Sequence, residues 1–157
     1  RLHVDAFPSR PTRGMRLLRI FYNINLEGRP RVWNVGESFE KVAEKFLPRI
    51  KPQNHIAPYV LKALKITKSF RSEYDHYMLN LHDKMKLDEA YQANAAKQKI
   101  EMAAGTTWVC FSDKTSHAVL SGSGLLEQTI YLPVEGMMEP GKSPLYILEK
   151  MLERKLI

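Results

Sequence analysis

Two hydrophobic periods alternate along this chain, and the switches between them mark its elements. Residues 15–25 are rich in strand formers; extended, they put Arg19, Phe21 and Asn23 on one face and Leu18, Ile20 and Tyr22 on the other. Arg16 belongs to the second face. A turn over 26–30, with Gly28 and Pro30, leads into a second strand at 31–35, so 15–35 reads as a hairpin. From 37 to 94 the period lengthens. Helices are expected over 39–47, 58–64, 69–83 and 88–94, the first showing Phe39, Val42, Ala43, Phe46 and Leu47 on one side. Pro58 suits a first helical turn. Strand patterning then returns at 99–102, 106–111, around His117 and at 125–132. Ser143-Pro144 opens a final helix as cap and first residue, with Leu145, Leu148, Met151 and Leu152 as its docking stripe.

The pattern therefore predicts a mainly β, α+β chain of one domain over 1–157, with a helical block inserted at about 37–94. No apolar run is long enough to span a bilayer. The single Cys110, expected as a buried strand thiol, permits no internal disulfide and agrees with a reducing cytoplasm. A formal charge of +7 favours anionic partners: nucleic acid, phosphorylated lipid or a membrane surface. Arginines crowd the first segment at 10, 13, 16, 19, 29 and 31, and arginine suits bidentate recognition of carboxylate or phosphate. No nucleic-acid motif and no basic stripe interleaved with aromatics is present, so a nucleic-acid partner is not expected.

Candidate chemistry lies at the two ends of the pattern. In Arg1-Leu2-His3-Val4-Asp5 an extended backbone sends His3 and Asp5 from one face. One imidazole and one carboxylate are two-thirds of the 2-His-1-carboxylate triad that leaves open positions on non-haem Fe(II). The third ligand would be His117, on the short strand in Ser112-Asp113-Lys114-Thr115-Ser116-His117-Ala118-Val119-Leu120. Taken alone, a His-x-Asp pair is a weak signal, and a lone His more often packs at a strand end. His76 and His82 lie six apart, on different helix faces, which suits hydrogen bonding better than one metal. His55 reads as a loop residue, and Gly122-Ser123-Gly124 as a turn, not a phosphate loop.

Several stretches together resemble the bacterial Kdo hydroxylases, Fe(II)- and 2-oxoglutarate-dependent dioxygenases acting on the 3-deoxy-octulosonic acid of lipid A. They are His3-Val4-Asp5-Ala6-Phe7-Pro8-Ser9-Arg10-Pro11, residues 16–25, Arg29-Pro30-Arg31-Val32-Trp33, Tyr74-Asp75-His76, the segment 111–122 around His117, and Leu126-Glu127-Gln128-Thr129. The resemblance implies a double-stranded β-helix (jelly roll) with helices on one side. It implies Fe(II) held by His3, Asp5 and His117, with 2-oxoglutarate and O2 as cosubstrates. Longer members carry an N-terminal region, so the sequence is expected to be a fragment. One departure stands out: where many such oxygenases place a cation for the distal carboxylate of 2-oxoglutarate, this chain has Glu127, Gln128 and Thr129. Arg19 is the expected substitute, helped by Asn23, Trp33 and Gln128, with Arg16 on the opposite face as its control. Arg10, Arg13, Tyr74 and His76 are expected at the entrance for an anionic glycolipid. The implied location is the cytoplasm, peripheral to the inner face of the membrane. A non-catalytic jelly-roll module that binds a sugar or another ligand is the alternative.

Overall fold

The computed structural model describes residues 1–54 and 56–157; the loop reading of His55 lies outside the described residues. Six strands form two antiparallel sheets of three. One has the order β4–β1–β6, built from Thr107–Phe111, Arg16–Asn23 and Leu125–Leu132. The other has the order β3–β2–β5, built from Gln98–Met102, Arg31–Val35 and His117–Ser121. The fold is a double-stranded β-helix with a helical layer, as the pattern and the resemblance imply.

The expected hairpin over 15–35 does not form, because β1 and β2 belong to different sheets. Alternation fixes which face a residue takes but not which strand lies beside it. Phe21 on β1 and Trp33 on β2 both need cover, and they find it across the gap between sheets, ring centroids 5.2 Å apart and nearly perpendicular. The crossing is fastened by two asparagines. Asn25 Oδ1 accepts from the backbone N–H groups of Glu27 and Arg29, while buried Asn23 donates both amide hydrogens to the carbonyls of Arg29 and Met102.

Four helices fill the block between β2 and β3: α1 (Phe39–Phe46), α2 (Ala57–Ala63), α3 (Glu73–Leu87) and α4 (Glu89–Asn94). The third starts four residues later than its periodicity predicts. Ser72 is its cap, and Asp75 completes a reciprocal capping box, which fixes the start. Helix α5 (Pro144–Leu152) begins on the Ser143 cap as expected.

The main core lies between helices and sheets. Phe39, Val42 and Phe46 of α1 meet Tyr74, Met78, Leu81 and Met85 of α3, with Leu145 and Leu148 of α5 closing the layer. Leu2 and Val4 are driven into this core, each almost fully buried. Strand alternation then forces their neighbours His3 and Asp5 to the opposite side, toward the sheets. A smaller aromatic cluster of Phe21, Trp33 and Met102, flanked by Trp108, Cys110 and Leu125, fills the gap between the sheets. Burial and the nearby charge of Asp5 push the Cys110 thiol up to about 11, so it stays protonated and unreactive at neutral pH.

Arg16 takes the face opposite Arg19, as expected, but it is buried and cannot serve as a neutral control. Its guanidinium is 1% exposed, lies 4.0 Å over the Phe111 ring, and donates to both carboxylate oxygens of buried Asp113 at 2.6 and 3.1 Å.

Candidate metal centre

The backbone brings the two distant histidines together. His3 N–H donates to the His117 carbonyl at 3.0 Å and His117 N–H donates to the His3 carbonyl at 2.9 Å, an isolated antiparallel bridge. Residues directly opposite in such a bridge send their side chains the same way, and the two imidazoles lie with centroids 4.7 Å apart. Asp5 N–H donates to the Ser112 carbonyl, which holds the next residue of the same face in register. Asp5 Oδ1 then lies 3.5 Å from His3 Nε2 and 3.9 Å from His117 Nε2. One ligand atom from each residue lies within 4.8 Å of the others.

Both rings are oriented from behind. A carbonyl can only accept, so His3 Nδ1–H donates to the Arg1 carbonyl at 2.9 Å and His117 Nδ1–H to that of Thr115 at 2.8 Å. Each imidazole is thereby fixed as the tautomer whose free Nε2 lone pair faces Asp5, the arrangement a metal ligand requires. The Trp33 indole stacks on His117 at 4.9 Å and 22°, and His82 of α3 sets its edge against His3 at 5.2 Å. Burial lowers the His117 pKa against the opposing pull of Asp5, and the charge of Arg19 adds to it, which favours the neutral ring. Burial alone would raise Asp5, but the imidazoles of His3 and His117 and the Arg19 guanidinium beside the carboxylate outweigh it. The carboxyl sits well below its usual range. The donor set is two neutral imidazoles and one carboxylate.

Arg19 reaches the site from β1, donating to Asp5 Oδ2 at 2.6 Å and to Glu127 Oε1 at 2.5 Å. Beside it a cavity of about 410 Å³ is lined by Phe7, Pro8, Ser9, Arg10, Glu127, Thr129 and Tyr131. Among the described residues, four buried side-chain N–H donors have no acceptor in the protein: Arg19 Nε, Arg31 Nε, Trp33 Nε1 and Trp108 Nε1. Those of Arg19, Trp33 and Trp108 belong to one contiguous group. The Arg19 guanidinium lies 4.9 Å over Phe21, Phe21 packs against both indoles at 5.2 and 5.3 Å, and the indoles meet at 5.6 Å.

Five expected site residues are placed elsewhere. Asn23 has the face predicted for it, but its amide is committed to the turn at 24–30 and it is 1% exposed. Gln128 pairs with Ile20, so it leaves the outer face of β6, exposed and donating to the Thr129 carbonyl; Glu127 and Thr129 share the face of Phe21 and Arg19 instead. Tyr74 is a core residue of α3, 1% exposed, its hydroxyl pushed well up by burial. His76 Nε2–H is donated to the Lys51 carbonyl and pins the loop before α2. Arg13, with positive φ, lines a separate groove with Arg71, Glu73 and Lys155. Glu127, Trp108 and His82 were not singled out for the site by sequence. A strand tryptophan and a helix histidine read as packing residues, and only the structure shows what they touch.

Comparison with known proteins agrees with this geometry. A sequence profile of the 3-deoxy-D-manno-oct-2-ulosonic acid (Kdo) hydroxylases matches residues 1–155. Crystal structures of the Kdo hydroxylase KdoO, described as a non-haem Fe(II) α-ketoglutarate-dependent dioxygenase, superpose with TM-score 0.98 at 50% identity over 100% of this chain. One holds α-ketoglutarate and Fe(III) and another succinate and Fe(III), and this chain covers 53% and 54% of them, respectively. A third, with cobalt(II), has the same identity and TM-score. The chain thus spans about half the length of the solved chains it matches. No curated protein sequence matches it at a significant level. With nearly every residue inside the profile, the chain belongs to the Kdo hydroxylase family.

Proposed function

We propose that this chain carries the active site of a dioxygenase that uses Fe(II), 2-oxoglutarate and O2 to hydroxylate the Kdo sugar of an anionic glycolipid. The observation that carries the reading is the cluster of His3, Asp5 and His117, with both Nε2 lone pairs turned toward one carboxylate. These are the donors of a facial triad, and they fit Fe(II) in number and type. When bound, the metal and its cosubstrate supply the oxidation: one oxygen atom of O2 enters the sugar C–H bond, the other enters succinate, and CO2 leaves.

The protein's share is binding and orientation. His3 and His117 offer neutral nitrogens held by backbone carbonyls, and Asp5 offers an ionised carboxylate. The orphaned N–H groups of Arg19, Trp33 and Trp108 lack an acceptor, and a carboxylate of 2-oxoglutarate is an acceptor of the right charge. Arg19 supplies the positive charge that 127–129 lacks, and Trp33 and Trp108 add two neutral donors. The aromatic cluster keeps water from that end. Arg10 lies on the cavity rim, where an anionic sugar would enter. A non-catalytic ligand-binding module gives no reason for the fixed imidazole tautomers.

Arg19→Ala should raise the KM for 2-oxoglutarate at least about tenfold, since a charged hydrogen bond contributes roughly 1.5–3 kcal/mol, while Arg19→Lys restores part of the loss. Iron affinity should change little. Arg29, 72% exposed at its side chain, is the control. Both tryptophans of the chain lie in this group. Titrating 2-oxoglutarate into the Fe(II)-loaded protein under argon should therefore alter tryptophan emission, and Trp33→Phe should weaken cosubstrate binding while keeping the ring. Unchanged emission together with a normal KM in the Arg19→Ala variant would remove the cosubstrate from this pocket.

The substrate class also implies work at a membrane surface. No helix among the described residues is long and apolar enough to cross a membrane.

A further inference from the structure

The longest acid-free stretch of the chain runs from Lys45 to Ser72 and holds seven Lys and Arg residues. Within it, α2 and the turn that follows expose an unusual amount of apolar side chain. Ile56 is 69% exposed, Tyr59 66%, Leu64 65% and Ile66 53%, with Val60 and Phe70 also exposed. Lys62, Lys65 and Lys68 are interleaved with them and make no ion pair among the described residues. The segment is shaped, not loose. Lys65 takes positive φ, the N–H groups of Ile66 and Thr67 return to the Leu61 carbonyl, Thr67 is buried, and Tyr59 packs on Phe70 at 5.2 Å.

We infer that residues 56–71 form a docking element for an anionic lipid bilayer. Exposed apolar side chains bounded by lysines match an interface where hydrocarbon lies beneath negative headgroups. A second copy would bring the same positive charge against itself, which disfavours self-association.

The position of the element adds a consequence. Lys68 N–H donates to the Ser9 carbonyl at 3.0 Å, and the Arg71 guanidinium donates to that of Pro8 at 2.7 Å. Pro8, Ser9 and Arg10 line the cavity beside Arg19. Docking through 56–71 would therefore set the mouth of the site against the headgroups. That placement rests on the glycolipid reading, whereas the docking itself does not.

The test is co-sedimentation of the full chain with vesicles of phosphatidylcholine and phosphatidylglycerol in equal parts, against pure phosphatidylcholine. The chain should bind the mixed vesicles, ignore the neutral ones and release with salt. The K62Q/K65Q/K68Q variant should lose about fivefold per lysine, on the order of 100-fold together. L64Q/I66Q should lose binding with an unchanged thermal transition, because both side chains face water in the free protein. Failure to bind mixed vesicles, equal binding by the lysine variant, or a lipid-independent dimer that L64Q/I66Q abolishes would each overturn the inference. Vesicle binding without hydroxylation counts against the enzyme reading alone; hydroxylation without vesicle binding counts against the docking element alone.

Discussion

Asp5→Ala should abolish hydroxylation and the visible metal-to-ligand charge-transfer band expected on adding Fe(II) and 2-oxoglutarate under argon, while leaving the far-UV circular dichroism unchanged. Asp5 is the only carboxylate in the cluster of three, and its loss leaves two imidazoles on a site built for three donors. Loss of an outer-shell partner costs about 10–100-fold in metal affinity or activity, and loss of the ligand itself should exceed that. The fold should survive for a specific reason. Asp5 is held in the strand by its backbone bond to Ser112, which alanine keeps, and Arg19 retains Glu127 after losing Asp5. His117→Ala is a poorer probe, because it also removes the ring on which Trp33 stacks. Retention of both the band and turnover in Asp5→Ala would move the metal elsewhere.

The second large effect concerns stability. Arg16→Ala should lower it by about 3–5 kcal/mol, the cost of leaving one member of a buried pair alone. At roughly 2–4 °C per kcal/mol for a chain of this size, Tm should fall by about 6–20 °C. The orphan is Asp113, 2% exposed, whose carboxyl burial already pushes upward against the opposing pull of Arg16. Without Arg16 its folded pKa rises further above the unfolded value. The unfolded chains titrate alike, so the deficit relative to wild type should be smallest in acid and grow as pH rises through the raised pKa that Asp113 has in the wild-type fold. Replacing both residues by leucine should cost much less than the single change, since no uncompensated charge remains. A double variant as unstable as Arg16→Ala would assign the loss to packing, not charge.

The fate of Arg16 shows what a strand pattern contains. Alternation placed it opposite Arg19, and the structure agrees on the face. Alternation does not say what covers that face, and here Phe111, Asp113 and Met137 bury the guanidinium. The same distinction accounts for the other departures. The span of β6 and the cap at Ser143 were legible because they depend on near neighbours. The pairing of Arg19 with Thr129, which turns Gln128 outward and Glu127 inward, depends on register between strands far apart in sequence. Likewise, the sheet change between β1 and β2 follows from the meeting of Phe21 and Trp33 across the gap. His3, Asp5 and His117 were legible for another reason. Two short-range facts, an extended His-x-Asp and a histidine starting a strand, were enough once the resemblance supplied the link. The role of Tyr74 failed because its place on α3 aims it into the core.

The reciprocal bond between His3 and His117 also bears on how the molecule folds. Most of the chain lies between these two residues, so their contact is among the most non-local in the structure and carries a large loop-closure cost. Such contacts form late, after the helical layer and the local strand pairs have shortened the effective loop. The site is therefore a product of completed folding. A partly folded chain carries the three side chains without bringing them together, so a metal that needs all three would be kept from polypeptide that is still open.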